Sequence, residues 1–297
     1  MMGVLRALDR RLLTGVLFMC GSGLVFPVMN GAAKLLGAHY NSVQISWARA
    51  FGHVLFLMMA FLPKYGVAFL KTKRPMLQVF RSSMLFLSNL CFFFAISFIP
   101  IAQASSISMT GPLVVALLAW PMLGERTTKV RLVLLAVGFV GVLIVIRPGS
   151  ALFHWASLFV VANSTFYGVY QILTRRVSTV DSPATSAFYS STVGAFVMIA
   201  AMPFVWKTPV SGFDLTLFCA MGVLGAAGHY CVARALQLAP ANLVSPFQYF
   251  QLIGSVLVGY LVFGDLPDGW TWFGAGVIVA AGLALGWTQT RRRHEQR

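Results

Sequence analysis

Ten apolar runs occupy most of the chain, each close to the ~20 residues that a helix needs to cross a bilayer. They fall at 12–33, 42–62, 76–97, 102–123, 130–147, 152–174, 184–204, 213–235, 242–263 and 270–289. In hydrocarbon every backbone N–H and C=O must be bonded within the protein, so runs of this length fold as spanning helices. Of the 297 residues, 58% are hydrophobic and 10% charged, more apolar surface than a soluble domain can use. The breaks are short and leave no room for a separate soluble domain. Arg6, Arg10 and Arg11 precede the first run as in a signal peptide. That run continues to about Ala33 without a small-residue cleavage pattern, so a retained first helix is expected. The expected fold class is all-α integral membrane, with lipid around it.

A second pattern divides the chain. A shift of 140 residues superposes Arg81–Glu125 on Met221–Asp265 without gaps. Cys91 meets Cys231, Ala95 meets Ala235, Pro100 meets Pro240, Ser105 meets Ser245, Leu117 meets Leu257 and Gly124 meets Gly264. Six identities are few in so apolar a stretch, and the shared order carries more weight: helix, proline break, helix, Gly-acid. The chain reads as two copies of one membrane unit, at 1–150 and 151–297. Five helices per copy is odd, so the second copy starts on the opposite face. Ten transmembrane helices as two inverted five-helix repeats are therefore expected. One chain then supplies both orientations, so a monomer is sufficient and the oligomeric state stays open.

The formal charge of +15 suggests nucleic acid at first sight. The bases, however, lie between apolar runs, where they act as orientation signals. With the N-terminus inside, 18 bases are cytoplasmic, Arg81 among them, and Lys34, Arg147 and Lys207 are outside. Both termini are thus expected in the cytoplasm, and no nucleic acid is expected as a partner. Cys20, Cys91, Cys219 and Cys231 all lie in apolar runs without metal-ligand spacing, so no metal or other cofactor is expected. Pro27, Pro112, Pro121 and Pro246 lie in or at the ends of helices, where kinks are expected.

Polar residues recur at helical spacing inside several runs. Asn163, Tyr167, Tyr170, Gln171 and Thr174 share one face of the sixth. Ser245, Gln248, Gln251 and Ser255 share one face of the ninth, with Tyr249 beside them. Ser105, Ser108 and Thr110 lie on the fourth, Asn89 on the third, His229 on the eighth, Ser22 and Asn30 on the first. A lone polar group in a membrane helix is commonly interhelical glue. Converging stripes would instead line a substrate cavity. All seven acids fall in loops, tails or helix ends, so a buried cation has no counter-charge and a carboxylate proton relay is missing. Neutral or zwitterionic cargo is expected. Arg49, His53 and His229 are the candidate proton or carboxylate contacts, with snorkelling as the other reading of Arg49 and helix packing as that of the histidines.

The run Ala102–Arg126, with Ser105, Pro112 and Leu123-Gly124-Glu125-Arg126-Thr127, followed by Gly138 and Gly141, resembles the EamA repeat of the drug/metabolite transporter superfamily. Gly264-Asp265, Gly274, Gly276 and Gly282 repeat it more loosely, with Asp in place of the usual Glu. The resemblance covers nearly all of 10–290. It implies ten helices in two inverted copies, alternating access and a central cavity ringed by helices one, three, four, six, eight and nine. It also implies a bacterial inner membrane. Among such proteins the chain is similar to exporters of aromatic and other neutral amino acids.

The expected function is a secondary transporter or exporter of small neutral or zwitterionic metabolites, chiefly those amino acids, with other metabolites or drugs as the alternative. An intramembrane enzyme is the weaker reading, because Ser22 and His229 have no carboxylate partner at depth. Val258-Gly259-Tyr260 resembles part of a potassium filter but lies within a helical run, which argues against a channel.

Overall fold

The structure is a computed structural model. It describes residues 2–111, 113–115, 117–118, 129–149, 153–177, 180–238 and 245–295, with side chains within 11–284 except at 131, 175, 183, 236, 237, 245 and 246. Among these residues the chain is helical and strand-free: α1 (Met2–Gly37), α2 (Ser42–Tyr65), α3 (Pro75–Ile96), α4 (Ile101–Ser108), α5 (Lys129–Ile146), α6 (Ala156–Val177), α7 (Pro183–Val197), α8 (Gly212–Leu238), α9 (Phe250–Phe263) and α10 (Gly269–Glu295). Six apolar helices have the length to span a membrane, and four shorter ones complete the ten.

Local chemistry explains the ends. Asn41 caps α2 by accepting from Val43 N at 2.8 Å, and Ser182 caps α7 by accepting from Thr185 N at 3.1 Å. Gly264 ends α9 in the left-handed conformation (φ 69°), donating back to Tyr260 O at 3.0 Å. The glycine of the Gly-acid motif is therefore a helix stop. Its acid, Asp265, reaches Lys34 at the end of α1, 3.1 Å away.

Three expected runs are not uniform helices. The ninth opens as a 3₁₀ segment, Ser245–Tyr249, before α9 begins. Pro246 has no N–H to give, and a 3₁₀ turn is a frequent opening for a helix. The seventh tightens to 3₁₀ at Met198–Ala201, ahead of Pro203. The fourth turns at Met109–Thr110 and resumes helical residues beyond. Pro112, Pro121 and the Gly124-Glu125 motif lie outside the described residues.

Packing is two-fold. α1 packs on α8 as α6 packs on α3; α2 packs on α8 as α7 packs on α3; α1 packs on α9 as α6 packs on α4. The pairs α2–α7, α4–α9 and α5–α10 map onto themselves. Exchanging helix n with helix n+5 thus preserves the contacts. With five spanning helices in each set, the molecule is two inverted five-helix repeats. Glycine pairs permit close backbone approaches, Gly23–Gly254 among them. A Cβ on Gly222 would lie 2.6 Å from the Gly52 backbone, and one on Gly274 would lie 2.8 Å from Gly141 O.

The polarity is that of a membrane protein. Leu13, Leu17, Met59, Val67, Leu261 and Phe273 are exposed, while Gln44, His53, Gln78, Arg81, Ser105 and Ser255 are buried. The largest apolar cluster lies at one end, the end of the α1–α2, α3–α4 and α5–α6 turns. It joins Ala33 and Leu36, Phe93 and Ile96, Val145, Val160 and Met221. Polar ties reinforce that end: Lys34 with Asp265, Arg147 with Asp268, and Tyr40 Oη donating to Asp214 at 2.8 Å. Trp47, Trp155, Trp206, Trp270 and Trp272 are all partly exposed or turned outward near it, an aromatic belt at one bilayer interface. We call this the sealed end.

Gly222→Val forces α2 and α8 apart. Overpacking of this kind costs about 1–3 kcal/mol, and the expected outcome is a lower melting temperature of the detergent-purified protein, with Gly276→Val as the control. A Cβ at Gly276 meets nothing within 4 Å.

Candidate functional site

Below the sealed end a cavity opens among α1, α3, α4, α6, α8 and the start of α9. It holds about 900 Å³ not filled by atoms, counting space that joins the outside. Asn30, Asn89, Ser108, Asn163, Tyr167, Gln171, His229, Gln248, Tyr249 and Gln251 line it. They come from six helices, and helical spacing brings each set to one wall. The 3₁₀ turn keeps Gln248 and Gln251 on the same face.

The remaining candidates lie elsewhere. Ser105 Oγ donates to Ser255 Oγ at 2.7 Å, closing the α4–α9 contact. Thr110 Oγ1 donates to Ile107 O at 2.8 Å and is buried in the turn that follows α4. Tyr170 stacks on Tyr167 with centroids 5.6 Å apart, behind the wall, its hydroxyl 3.2 Å from Ser190 Oγ. The Ser245 side chain lies outside the described residues. His53 is fully buried, with Nδ1 3.1 Å from Ser191 Oγ and its ring 5.7 Å from that of His229. Arg49 is 2% exposed and lies over the Phe93 ring, with Cζ 5.9 Å from the centroid. It does not snorkel.

Lining residues differ in how much they have to offer a ligand. Asn163 Nδ2 donates to Ser88 Oγ at 2.7 Å and to Ser88 O at 3.0 Å, and its Oδ1 accepts from Ser108 Oγ at 2.9 Å. Its amide is committed to joining α6 to α3 and α4. Asn89 Nδ2 donates to Leu85 O at 2.7 Å, within its own helix. Gln171 Nε2 and Tyr249 Oη have no protein partner. A Cβ on Gly282 would fall 1.6 Å from Tyr249 Oη, so this glycine of α10 makes room for the tyrosine. Phe26, Met29, Leu85, Phe92 and Val232 supply apolar wall. Apolar residues in an apolar helix carry no sequence signal. Ser88 follows the 81, 85, 88, 92 spacing of α3 and was legible only beside Asn89.

Among the described residues no acid lines the cavity. The described acids Asp181, Asp214, Asp265 and Asp268 are all in loops or at helix ends, while the side chains of Asp9, Glu125 and Glu295 lie outside the described residues.

At the end opposite the seal, Arg81 is fully buried rather than a loop base. Its Nε donates to Gln78 Oε1 at 3.0 Å, Nη1 to Thr174 Oγ1 at 3.2 Å, and Nη2 to Ser186 O. Gln78 in turn donates to Asp181 at 2.8 Å, and Thr72 also bonds Asp181. This network latches α3 to α6 and α7, one turn beyond Gln171. Desolvation pushes the Asp181 carboxyl up. Hydrogen bonds from Thr72, Gln78 and the Lys73 N–H, with the charge of Arg81, outweigh it and hold the carboxyl below its usual range.

The sequence profile described as the EamA-like transporter family matches residues 13–147 and 154–286. The chain is 29% identical to an S-adenosylmethionine uptake transporter of Rickettsia bellii, over 85% of this chain and 86% of that one. It is 27% identical to a riboflavin transporter of Vibrio cholerae, over 96% and 97%, and 29% identical to a pseudopaline exporter of Pseudomonas aeruginosa, over 93% and 97%. A solved crystal structure superposes with a TM-score of 0.66 at 18% identity, over 94% of this chain and 97% of that one, a likeness of fold alone.

Asn163→Ala removes the amide bonds that join α6 to Ser88 and Ser108, each contributing about 0.5–1.5 kcal/mol. Lower thermal stability is expected, whereas Gln171→Ala keeps the melting temperature and changes ligand response. The latch contribution of Asp181 is complete above the ordinary carboxylate range and is lost as pH falls through its lower folded value. Acid titration of wild type against Asp181→Asn should therefore show a stability difference at neutral pH that vanishes in acid.

Proposed function

The chain belongs to the EamA-like transporter family, and from that premise we propose which metabolites it moves and how. It is a transporter of small molecules in a membrane and not an enzyme. In the proposed reading its cargo is neutral or zwitterionic and bears a flat ring, aromatic amino acids foremost. The observation that carries this is the cavity wall: amides of Gln171, Gln248, Gln251 and Asn30, the aromatic faces of Phe26, Phe92, Tyr167 and Tyr249, and no acid among the described residues. Amides satisfy a polar head, ring faces take flat apolar groups, and the missing carboxylate disfavours a net cation.

Transport proceeds by rocking of the two halves about the cavity. The base distribution assigns the sealed end to the outside and both termini to the cytoplasm, in a bacterial inner membrane. The cavity then belongs to the inward-facing half of the cycle, and opening the other way breaks Lys34–Asp265 and Tyr40–Asp214. One chain contains both halves and suffices as the transporting unit.

A second reading follows from the relatives: a larger ring-bearing metabolite of the riboflavin or S-adenosylmethionine kind. Both readings are tested by uptake of labelled phenylalanine into liposomes holding the purified protein, with and without a pH gradient. Saturable uptake, blocked by tryptophan and independent of the gradient, is expected. S-adenosylmethionine, with its sulfonium charge, should compete less well than riboflavin. Competition by riboflavin without phenylalanine uptake would replace the amino-acid reading by the second. Gradient-driven accumulation would bring His53 and His229 into proton coupling.

A further inference from the structure

Two buried guanidinium groups stand at opposite ends of the cavity, and they differ in one respect. Arg81 is bonded through all three nitrogens. Arg49 is 2% exposed, yet its Nε and Nη1 have no hydrogen-bond partner. The two nitrogens lie on different edges of the plane, so each edge keeps an unmet donor. None of the four described acids is paired with it; three of them serve Thr72, Lys34 and Arg147. A cation this deep without an anion is costly, and a guanidinium is the side chain best shaped to receive a carboxylate.

The surroundings show where that anion comes from. Gly225 of α8 faces Arg49. A Cβ there would lie 3.6 Å from Arg49 Nη1 and 3.5 Å from Met29 Sδ. Met29 lines the cavity. Arg49 and Met29 thus flank the same glycine, and Met29, which also faces the cavity, is an unbranched thioether able to change rotamer at little cost. One turn along α2, His53 Nε2 is also without a partner, and His53 leads by ring contact to His229 in the cavity wall. Phe93 covers the far side of Arg49. Phe93 and Met29 also belong to the sealing cluster, so Arg49 stands where cavity and seal meet.

We infer that Arg49 is a carboxylate-binding residue, which receives the anionic group of the transported metabolite when Met29 moves aside. The inference deepens the proposed function and rests on it for the cargo having a carboxylate. Binding there inserts charge beside the seal, so substrate engages the element that must open for release on the other side.

The test uses the full chain in detergent and a probe pair independent of amino-acid transport. Thermal unfolding is followed against benzoate and against its neutral isostere benzamide. Benzoate should stabilise wild type at concentrations about tenfold or more below those needed for benzamide, the discrimination a charge-assisted bond supplies. Arg49→Gln should abolish that preference and Arg49→Lys retain part of it. Gly225→Ala adds a methyl at ordinary contact distance from Arg49 and Met29; it should fold and weaken benzoate by filling the space. That variant decides the matter if Arg49→Gln does not fold. Equal response to benzoate and benzamide, or an undiminished benzoate response in folded Arg49→Gln or in Gly225→Ala, would overturn the inference. In liposomes, 3-phenylpropionate should compete with phenylalanine more strongly than its neutral amide in wild type, and no more strongly in Arg49→Gln. Absence of phenylalanine uptake with the benzoate preference intact removes the amino-acid reading alone. Phenylalanine uptake that keeps its carboxylate preference in Arg49→Gln removes the role of Arg49 alone.

Discussion

Hydrocarbon offers no hydrogen bonds, and the rest of this structure follows from that. Each polar side chain on a spanning helix has to find a partner inside the bundle or face an internal space. Ser105 finds Ser255, Asn163 finds Ser88 and Ser108, and Arg81 finds Gln78, Thr174 and Ser186. The helices are joined by these contacts and by glycine pairs at which backbones touch. Of the described buried groups left unpaired, Gln171 and Tyr249 face the cavity and are free to serve a ligand, Arg49 and His53 lie behind its wall, and Ser46, Trp47 and Ser157 lie away from it.

The two-fold exchange of helix contacts is the basis of the proposed rocking mechanism. An inverted repeat has two equivalent ways to close, one at each end, with the site between. In this structure an apolar cluster closes one end, strengthened by Lys34–Asp265 and Arg147–Asp268. The other end has no comparable cluster among the described residues and is held by the hydrogen bonds around Arg81 and Asp181. Polar latches are easier to open than a packed apolar seal, because water can replace their partners.

Much of the site was legible because a helix places residues by number. The 163, 167, 171 stripe and the 248, 251 pair fall on the cavity wall, as spacing places them on one face. Spacing could not separate ligand contact from glue. Asn163 and Gln171 share a stripe, yet one amide is consumed by neighbouring helices and the other is unpartnered. Nor could it place Arg81, whose position near a helix start looks like that of an orientation base until α6 and α7 pack over it. The apolar wall of Phe26, Met29 and Phe92 had no signal at all, since lipid-facing and cavity-facing apolar residues look alike in sequence.

The sequence by itself determined the ten helices, their inverted pairing and the exclusion of acids from the spanning segments, because hydropathy and charge act residue by residue. Only the tertiary structure decided which end is sealed, which amides are already bonded and that Arg49 lies buried and unpaired beside Met29. Those depend on what a side chain meets across a helix interface, and residues such as Arg49, Gly225 and Phe93 are far apart along the chain.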